Sequence, residues 1–90
     1  MNTAMDQDKL TMRVKIYAPF RTYFEGPAVS LSAANKTGPF DVLPHHRNFM
    51  TLLIPCTITV RMPEKADFNM KVSRGVMHVK ADKITVFLDI

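Results

Sequence analysis

The chain has 90 residues, a formal net charge of +4 and a single cysteine. A chain of this length forms one domain and buries only about 60 to 65 per cent of its unfolded surface, which excludes a deep cavity for a large enclosed substrate. No apolar run approaches the roughly 20 residues that a membrane-spanning helix needs, so we predict a soluble protein. One cysteine excludes an internal disulfide and indicates a reducing compartment.

The first ten residues differ in composition from the rest of the chain. They are polar, carry Asp6 and Asp8, and lack the apolar core of a signal peptide, so we expect the protein to stay in the compartment where it is made. Because they also lack periodicity, we predict a loosely ordered tail at residues 1–10 and a single folded domain at residues 11–90.

Apolar residues recur at every second position through most of the chain, and no stretch has a helical period. In residues 12–18, for example, apolar side chains alternate with Arg13, Lys15 and Tyr17, as a half-buried strand requires. Strands are predicted at residues 12–18, 22–25, 29–34, 40–43, 49–54, 56–62, 68–73, 76–80 and 84–88. Eight to ten short strands with turns about every 8 to 12 residues predict an all-β fold, either a sandwich or a barrel.

Several of these strands carry more specific predictions. Gly26 and Pro27 are expected to close the second strand, and Val29, Leu31 and Ala33 to share one face of the third. Buried or inward-facing positions are predicted for Cys56, Met12, Met62 and Met70, and a solvated strand position for His78.

Residues 38–55 combine prolines, two adjacent histidines and an apolar strand. Pro44 ends the strand before it because proline offers no N–H to the strand ladder. The apolar run at residues 49–54 predicts a strand that is covered on both faces. Between these strands, Pro44 gives rigid support to a polar loop that carries His45 and His46. Binding residues tend to lie in such loops.

This segment resembles the signature of the epsilon subunit of rotary F-type ATP synthases, a Gly-x-Phe-Gly-Ile-Leu-Pro-Gly-His run followed by an apolar strand and a Pro-Gly turn. The matching residues are Gly38, Phe40, Val42, Leu43, Pro44, His46, Thr51, Leu53 and Pro55. Weaker similarities at residues 19–28 and 72–86, the latter to an Ile-Ser-Gly-Gly hairpin and closing strand, extend the resemblance over residues 12–90. It implies a two-sheet antiparallel β-sandwich like the N-terminal domain of that subunit.

The sequence also departs from the family pattern. Glycines are replaced by Asp41, His45, Cys56 and Arg74, and any of these positions that needs a positive φ would be strained by about 1 kcal/mol. Members of the family commonly continue into a C-terminal pair of helices. No stretch of this sequence has a helical period, so we expect a divergent member without that pair. We do not transfer ATP binding or autoinhibition to it.

The resemblance implies a non-catalytic rotor component that links the gamma subunit to the polar loops of the membrane ring and couples proton or sodium translocation to ATP synthesis. Its implied location is the cytoplasmic face of the bacterial plasma membrane, as a peripheral part of the complex without direct membrane insertion. His46 occupies the family's histidine position. The predicted ring contact consists of Pro39, Asp41, His45, His46, Arg47 and Asn48.

We predict no catalytic, cofactor or metal site. His45 and His46 would point to opposite sides of an extended segment, and no further ligand follows at metal-binding spacing. The sequence suggests neither a nucleophile with its base nor a glycine loop that could hold a phosphate group.

The alternative function is a small basic β-barrel that binds single-stranded nucleic acid. Arg13, Lys15 and Tyr17 share one strand face, and Phe20 and Tyr23 are close in sequence, so they predict a basic and aromatic surface. An open, positively lined groove would favour this function, whereas a sandwich with His46 near its surface would favour the rotor.

Overall fold

The computed structural model describes residues 11–88 and contains nine β-strands and no helix in that range. The strands are β1 (Met12–Ala18), β2 (Arg21–Ala28), β3 (Ser30–Asn35), β4 (Gly38–Val42), β5 (Phe49–Leu53), β6 (Cys56–Arg61), β7 (Phe68–Val72), β8 (Gly75–Lys80) and β9 (Lys83–Leu88). The predicted tail at residues 1–10 lies outside the described residues, as do the last two residues of the predicted domain.

The strands form two sheets, which confirms the predicted sandwich. The five-stranded sheet has the order β2-β1-β9-β8-β5 and the four-stranded sheet the order β4-β3-β6-β7. Pairings among the described strands are antiparallel except that β1 runs parallel to β9. The first and last described strands therefore lie side by side in the middle of one sheet.

The core lies between the two sheets and is built from alternate residues of each strand. Its largest fully buried side chains are Ile16, Leu31, Ile58, Met77, Ile84, Leu88, Val14, Val42, Val60, Val79 and Val86. Each contributes roughly 1.5 to 3 kcal/mol relative to an exposed position. Met12 is buried in this core as predicted, and Met62 and Met70 are partly buried against it.

The prediction that Gly26 and Pro27 close the second strand is wrong, because β2 continues to Ala28. β2 is the edge of its sheet, where a missing proline N–H removes no ladder bond. The predicted face of the third strand is also wrong at its start. β3 begins at Ser30, which is buried, whereas Val29 precedes the strand and is only half-buried.

The apolar strand β5 was predicted to be covered on both faces, and this is wrong. Leu53 is buried, but Met50 and Leu52 are 65% and 69% exposed. The reason is that the described chain forms only two layers, so the four-stranded sheet covers the inner face of β5 and nothing in residues 11–88 covers its outer face.

Residues 73–74 connect the two sheets, and Cys56 is less buried than predicted. Residues 73–74 resemble a hairpin turn in sequence, yet they join β7 and β8, which belong to different sheets. Cys56 was predicted to be buried and is half-buried at the start of β6. His78 is exposed on β8, as predicted.

Candidate functional site

The connection between β4 and β5 passes from one sheet to the other and forms the predicted corner. We call residues 43–48 the crossover loop. The His46 main-chain N–H donates to the Leu43 carbonyl oxygen over 3.1 Å, which closes a turn, and His45 has a φ of 68°. His45 stands where the resemblance has glycine, and it keeps the left-handed conformation that glycine adopts most easily. Asp41, Cys56 and Arg74, which also replace glycines, do not have positive φ.

The crossover loop is tied to the turn between β8 and β9. The His45 main-chain N–H donates to Asp82 Oδ1 over 2.6 Å, and His45 Nδ1 lies 3.5 Å from Asp82 Oδ2. The Ala81 N–H donates to Asn48 Oδ1 over 3.0 Å, and the Arg13 N–H donates to the Asp82 carbonyl oxygen over 2.8 Å. Three of these contacts hold the loop against the turn, and the fourth joins the turn to β1 of the five-stranded sheet.

Asp82 was not among the predicted site residues. It lies 37 positions from His45 in sequence. The only sequence signal was a short Ala-Asp-Lys turn, which indicates a bend but not what the carboxylate contacts. Ala81 and Asp82 both have positive φ, at 50° and 61°, so the turn itself has a tightly defined shape.

The two histidines of the loop have different partners. The His46 ring lies 4.9 Å from that of Phe49, and His46 Nδ1 is 2.8 Å from the Arg47 carbonyl oxygen. His46 is half-buried at the surface, and Arg47 is exposed. The predicted extended geometry is wrong, because these residues form a turn. Among residues 11–88, no group of three His, Cys, Asp or Glu side chains is placed to share a metal ion.

The other two predicted contact residues lie on β4, an edge strand of the four-stranded sheet. Pro39 and Asp41 are exposed, and Asp41 Oδ1 accepts a hydrogen bond from Ser32 Oγ over 2.5 Å. The six predicted residues therefore occupy two adjoining parts of the chain, with four in the crossover loop and two on the strand before it.

The polarity of the side chains on the outer face of the five-stranded sheet differs from one end to the other. At the end away from the crossover loop, an apolar row joins Leu52, Val76, Phe87 and Tyr17 across four paired strands. We call these four residues, with Met50, the apolar end. The Tyr17 and Phe87 rings meet edge to face at 5.2 Å. Our sequence prediction missed this surface because it assigned a cover to both faces of β5.

A groove of about 920 Å³ runs along β5 beside the apolar end. Its wall on the other side is the β3–β4 turn, which is joined to β5 where Asn35 Nδ2 donates to Thr51 Oγ1 over 3.0 Å. The groove is lined in part by Leu52, Val76 and Phe87, so it continues the apolar end toward the sheet edge.

The predicted basic and aromatic surface forms only in part. Arg13, Lys15 and Tyr17 share the outer side of β1, and Lys15 Nζ lies 5.1 Å from the centre of the Tyr17 ring. Tyr17 lies on the outer face, whereas Tyr23 packs against the core with the Arg21 guanidinium 5.0 Å from its ring centre. Phe20 is fully exposed in the turn between β1 and β2. The aromatic side chains of the alternative function therefore point in different directions.

Comparison with solved structures identifies the class of fold. The chain superposes with a TM-score of 0.81 on a chain from the mitochondrial ATP synthase of Euglena gracilis, at 15% identity, over 88% of this chain and 51% of that one. A structure of the central stalk and c-ring of the Tetrahymena thermophila mitochondrial ATP synthase gives a TM-score of 0.73, also at 15% identity, over 88% and 63% of the two chains. The fold is thus a β-sandwich of the kind present in ATP synthase assemblies.

Sequence comparison identifies the family. Residues 11–90 match the model of the ATP synthase, Delta/Epsilon chain, beta-sandwich domain, and the chain belongs to that family. It is 32% identical over 81 residues to an ATP synthase epsilon chain of Laribacter hongkongensis and 27% identical over 78 residues to one of Brevibacillus brevis. These alignments cover 89% and 87% of this chain but only 58% and 59% of the two relatives.

Residues 11–88 contain no helix with the length and hydrophobicity needed to cross a bilayer.

Proposed function

We propose that this chain is a non-catalytic component of the central stalk of an F-type ATP synthase. It would link the gamma subunit to the membrane ring, at the cytoplasmic face of the bacterial plasma membrane, and couple proton or sodium translocation to ATP synthesis. Membership in the Delta/Epsilon sandwich family and the relatives named ATP synthase epsilon chain support this role.

The observation that carries the proposal is the tied crossover loop. A rotor component must pass torque between two neighbours without absorbing it, which requires a stiff path. Here the loop is bonded to the β8–β9 turn through His45, Asn48 and Asp82, and the turn leads into a closely packed core. Packed interiors have low compressibility and transmit strain.

The apolar end of the outer face is the proposed contact for gamma. Met50, Leu52 and Phe87 are 65%, 69% and 36% exposed, and contiguous exposed apolar residues mark partner surfaces. The edge strand β5 also carries neither charge nor proline, the devices that normally protect an exposed edge. A large partner that covers β5 would remove both liabilities.

The crossover loop and the outer side of β4 are the proposed contact for the ring. Arg47 is exposed, His46 is half-buried, and Pro39 and Asp41 are exposed on the adjoining strand. Polar, partly exposed side chains on a rigid support suit the polar loops of a membrane ring. The role needs no catalytic group or cofactor on this chain.

The test is co-purification from native membranes combined with two charge reversals. Tagged protein should recover gamma and the ring, and the double variant Asp41→Lys and Arg47→Glu should lose the ring and lower ion-coupled ATP synthesis. The matched control reverses Glu64 and Lys71, which are exposed on the β6–β7 turn and β7. Recovery of neither partner, together with unchanged synthesis in the double variant, would contradict the proposal.

A further inference from the structure

Three cations stand side by side at the end of the outer face nearest the crossover loop. Lys80 pairs with Lys83 across β8 and β9, and Lys83 pairs with Arg13 across β9 and β1. We call these three residues the cationic row. Directly opposed side chains on neighbouring strands have Cβ atoms about 4.5 to 5.5 Å apart, and like charges in that position are destabilising. The row therefore costs stability unless an anion lies against it.

No carboxylate of the described residues forms an ion pair with the row. Asp82 is nearest in sequence, but its carboxylate is directed to His45. Glu25 belongs to the next row, where it is opposite Lys15 on β1. The other ion pair within residues 11–88 joins Arg61 to Asp67, far along the chain. Within this part of the chain, the positive charge of the row remains uncompensated.

A shallow hollow of about 440 Å³ adjoins the row. It is lined by His78, Lys80, Ala81, Lys83 and Thr85. Two ammonium groups offer three donors each, and the threonine hydroxyl and the imidazole can add further donors. Such a set of donors fits the oxygen atoms of a phosphate group better than any neutral ligand.

We propose that the cationic row binds the anionic phospholipid headgroups of the membrane surface. The choice of a membrane rests on the proposed function, because the Ala81 and Asp82 turn that separates Lys80 from Lys83 is hydrogen-bonded to the loop assigned to the ring. The row must then lie on the membrane side of the molecule. Two of the three cations are lysines, flexible point charges without the fixed geometry of a guanidinium group, which suits a fluid headgroup layer.

The cationic row is expected to make a modest contribution to the affinity for an anionic membrane. Each cation near an anionic leaflet strengthens binding roughly fivefold, so the row strengthens it on the order of a hundredfold. This is enough to reinforce docking on the ring, and weak screening at low ionic strength makes the binding of the isolated chain to vesicles measurable. The same estimate predicts that removing two of the charges weakens binding about 25-fold.

The experiment measures co-sedimentation of the 90-residue chain with vesicles at low ionic strength. Vesicles of equal parts phosphatidylglycerol and phosphatidylcholine should bind the chain, and pure phosphatidylcholine vesicles should not. Lys80→Gln with Lys83→Gln should weaken binding about 25-fold. The control Lys65→Gln with Lys71→Gln removes the same charge from exposed positions elsewhere and should retain most of the binding.

Equal binding to both vesicle types, or equal losses in the two double variants, would overturn the inference. It would also be overturned if inorganic phosphate at equal phosphate concentration displaced the chain from vesicles, or if the chain bound a single-stranded oligonucleotide more tightly than the anionic vesicles. Tighter binding to the oligonucleotide would assign the row to a nucleic acid.

Co-purification with gamma separates the membrane contact from the proposed stalk role. A chain that recovers gamma but ignores vesicles refutes only the membrane contact, whereas one that binds vesicles but not gamma refutes the stalk role.

Discussion

The two faces of the five-stranded sheet are made by the same strands and differ completely in their surroundings. On the inner face Ile16, Met77 and Ile84 are at most 1% exposed, whereas on the outer face Met50 and Leu52 are 65% and 69% exposed. The buried side chains of the inner face therefore supply most of the apolar burial that stabilises the fold. The exposed apolar residues outside contribute less to it, and in the proposed function they contact gamma.

The largest expected effect comes from the inner face. Ile84→Ala removes a buried side chain and leaves a cavity, so the free energy of unfolding should fall by about 2 to 5 kcal/mol. Thr85→Ala, half-buried on the outer side of the same strand, should lower it by less than about 1 kcal/mol. Urea unfolding measures both, and similar losses at the two positions would contradict the assignment of the core to the inner face.

Gly75 tests how closely the inner face is packed. A Cβ at this position would lie 2.8 Å from the Phe87 carbonyl oxygen and 2.9 Å from Leu88 Cδ2, so Gly75→Ala should lower the free energy of unfolding by about 1 to 3 kcal/mol. At Gly26 the nearest atom, Phe24 Cζ, is 3.7 Å away, and Gly26→Ala should be tolerated. A stable Gly75→Ala variant would show that β8 and β9 can separate without loss.

Asp82 tests whether the sheet holds the crossover loop in place. Asp82→Ala removes the acceptor for the His45 N–H, so the free energy of unfolding should fall by about 1 to 2 kcal/mol. Hydrogen exchange at the His45 amide should become faster. Asp82→Asn is the control, because asparagine tolerates a positive φ and keeps an acceptor oxygen. Unchanged exchange in the alanine variant would mean that the loop is held by other contacts.

The smallest effect is expected at His45 itself. His45→Gly relieves the left-handed strain but increases the entropy of the unfolded chain, and two opposing terms of about 1 kcal/mol should leave thermal stability almost unchanged. A loss above about 2 kcal/mol would show that the contact between the imidazole and Asp82 outweighs the strain.

Much of the fold could be predicted from the sequence, because half-buried strands leave a period of two that survives without structural information. The bounds of β1, residues 12–18, were predicted correctly for this reason. Family similarity also marked His45 as a glycine position, and the structure gives it a positive φ.

The rest could not be predicted, for physical reasons. An apolar run such as β5 indicates that both faces of the strand favour burial, but it does not indicate whether the same chain or another protein buries them. Pro27 resembles a strand end unless the strand is known to be an edge, and Asp82 meets His45 only through tertiary folding. The assignment of the six ring-contact residues stays a prediction, since their partner is not part of this chain.

The most direct measurement is a titration of gamma with this chain and two variants. Leu52→Asp places a charge in the apolar end and should weaken the affinity roughly 30-fold or more, the effect of losing a central contact. Thr57→Asp, exposed on the four-stranded sheet, should bind as the unchanged chain does. If all three folded proteins bind gamma with equal affinity, or none binds it, the apolar end does not contact gamma.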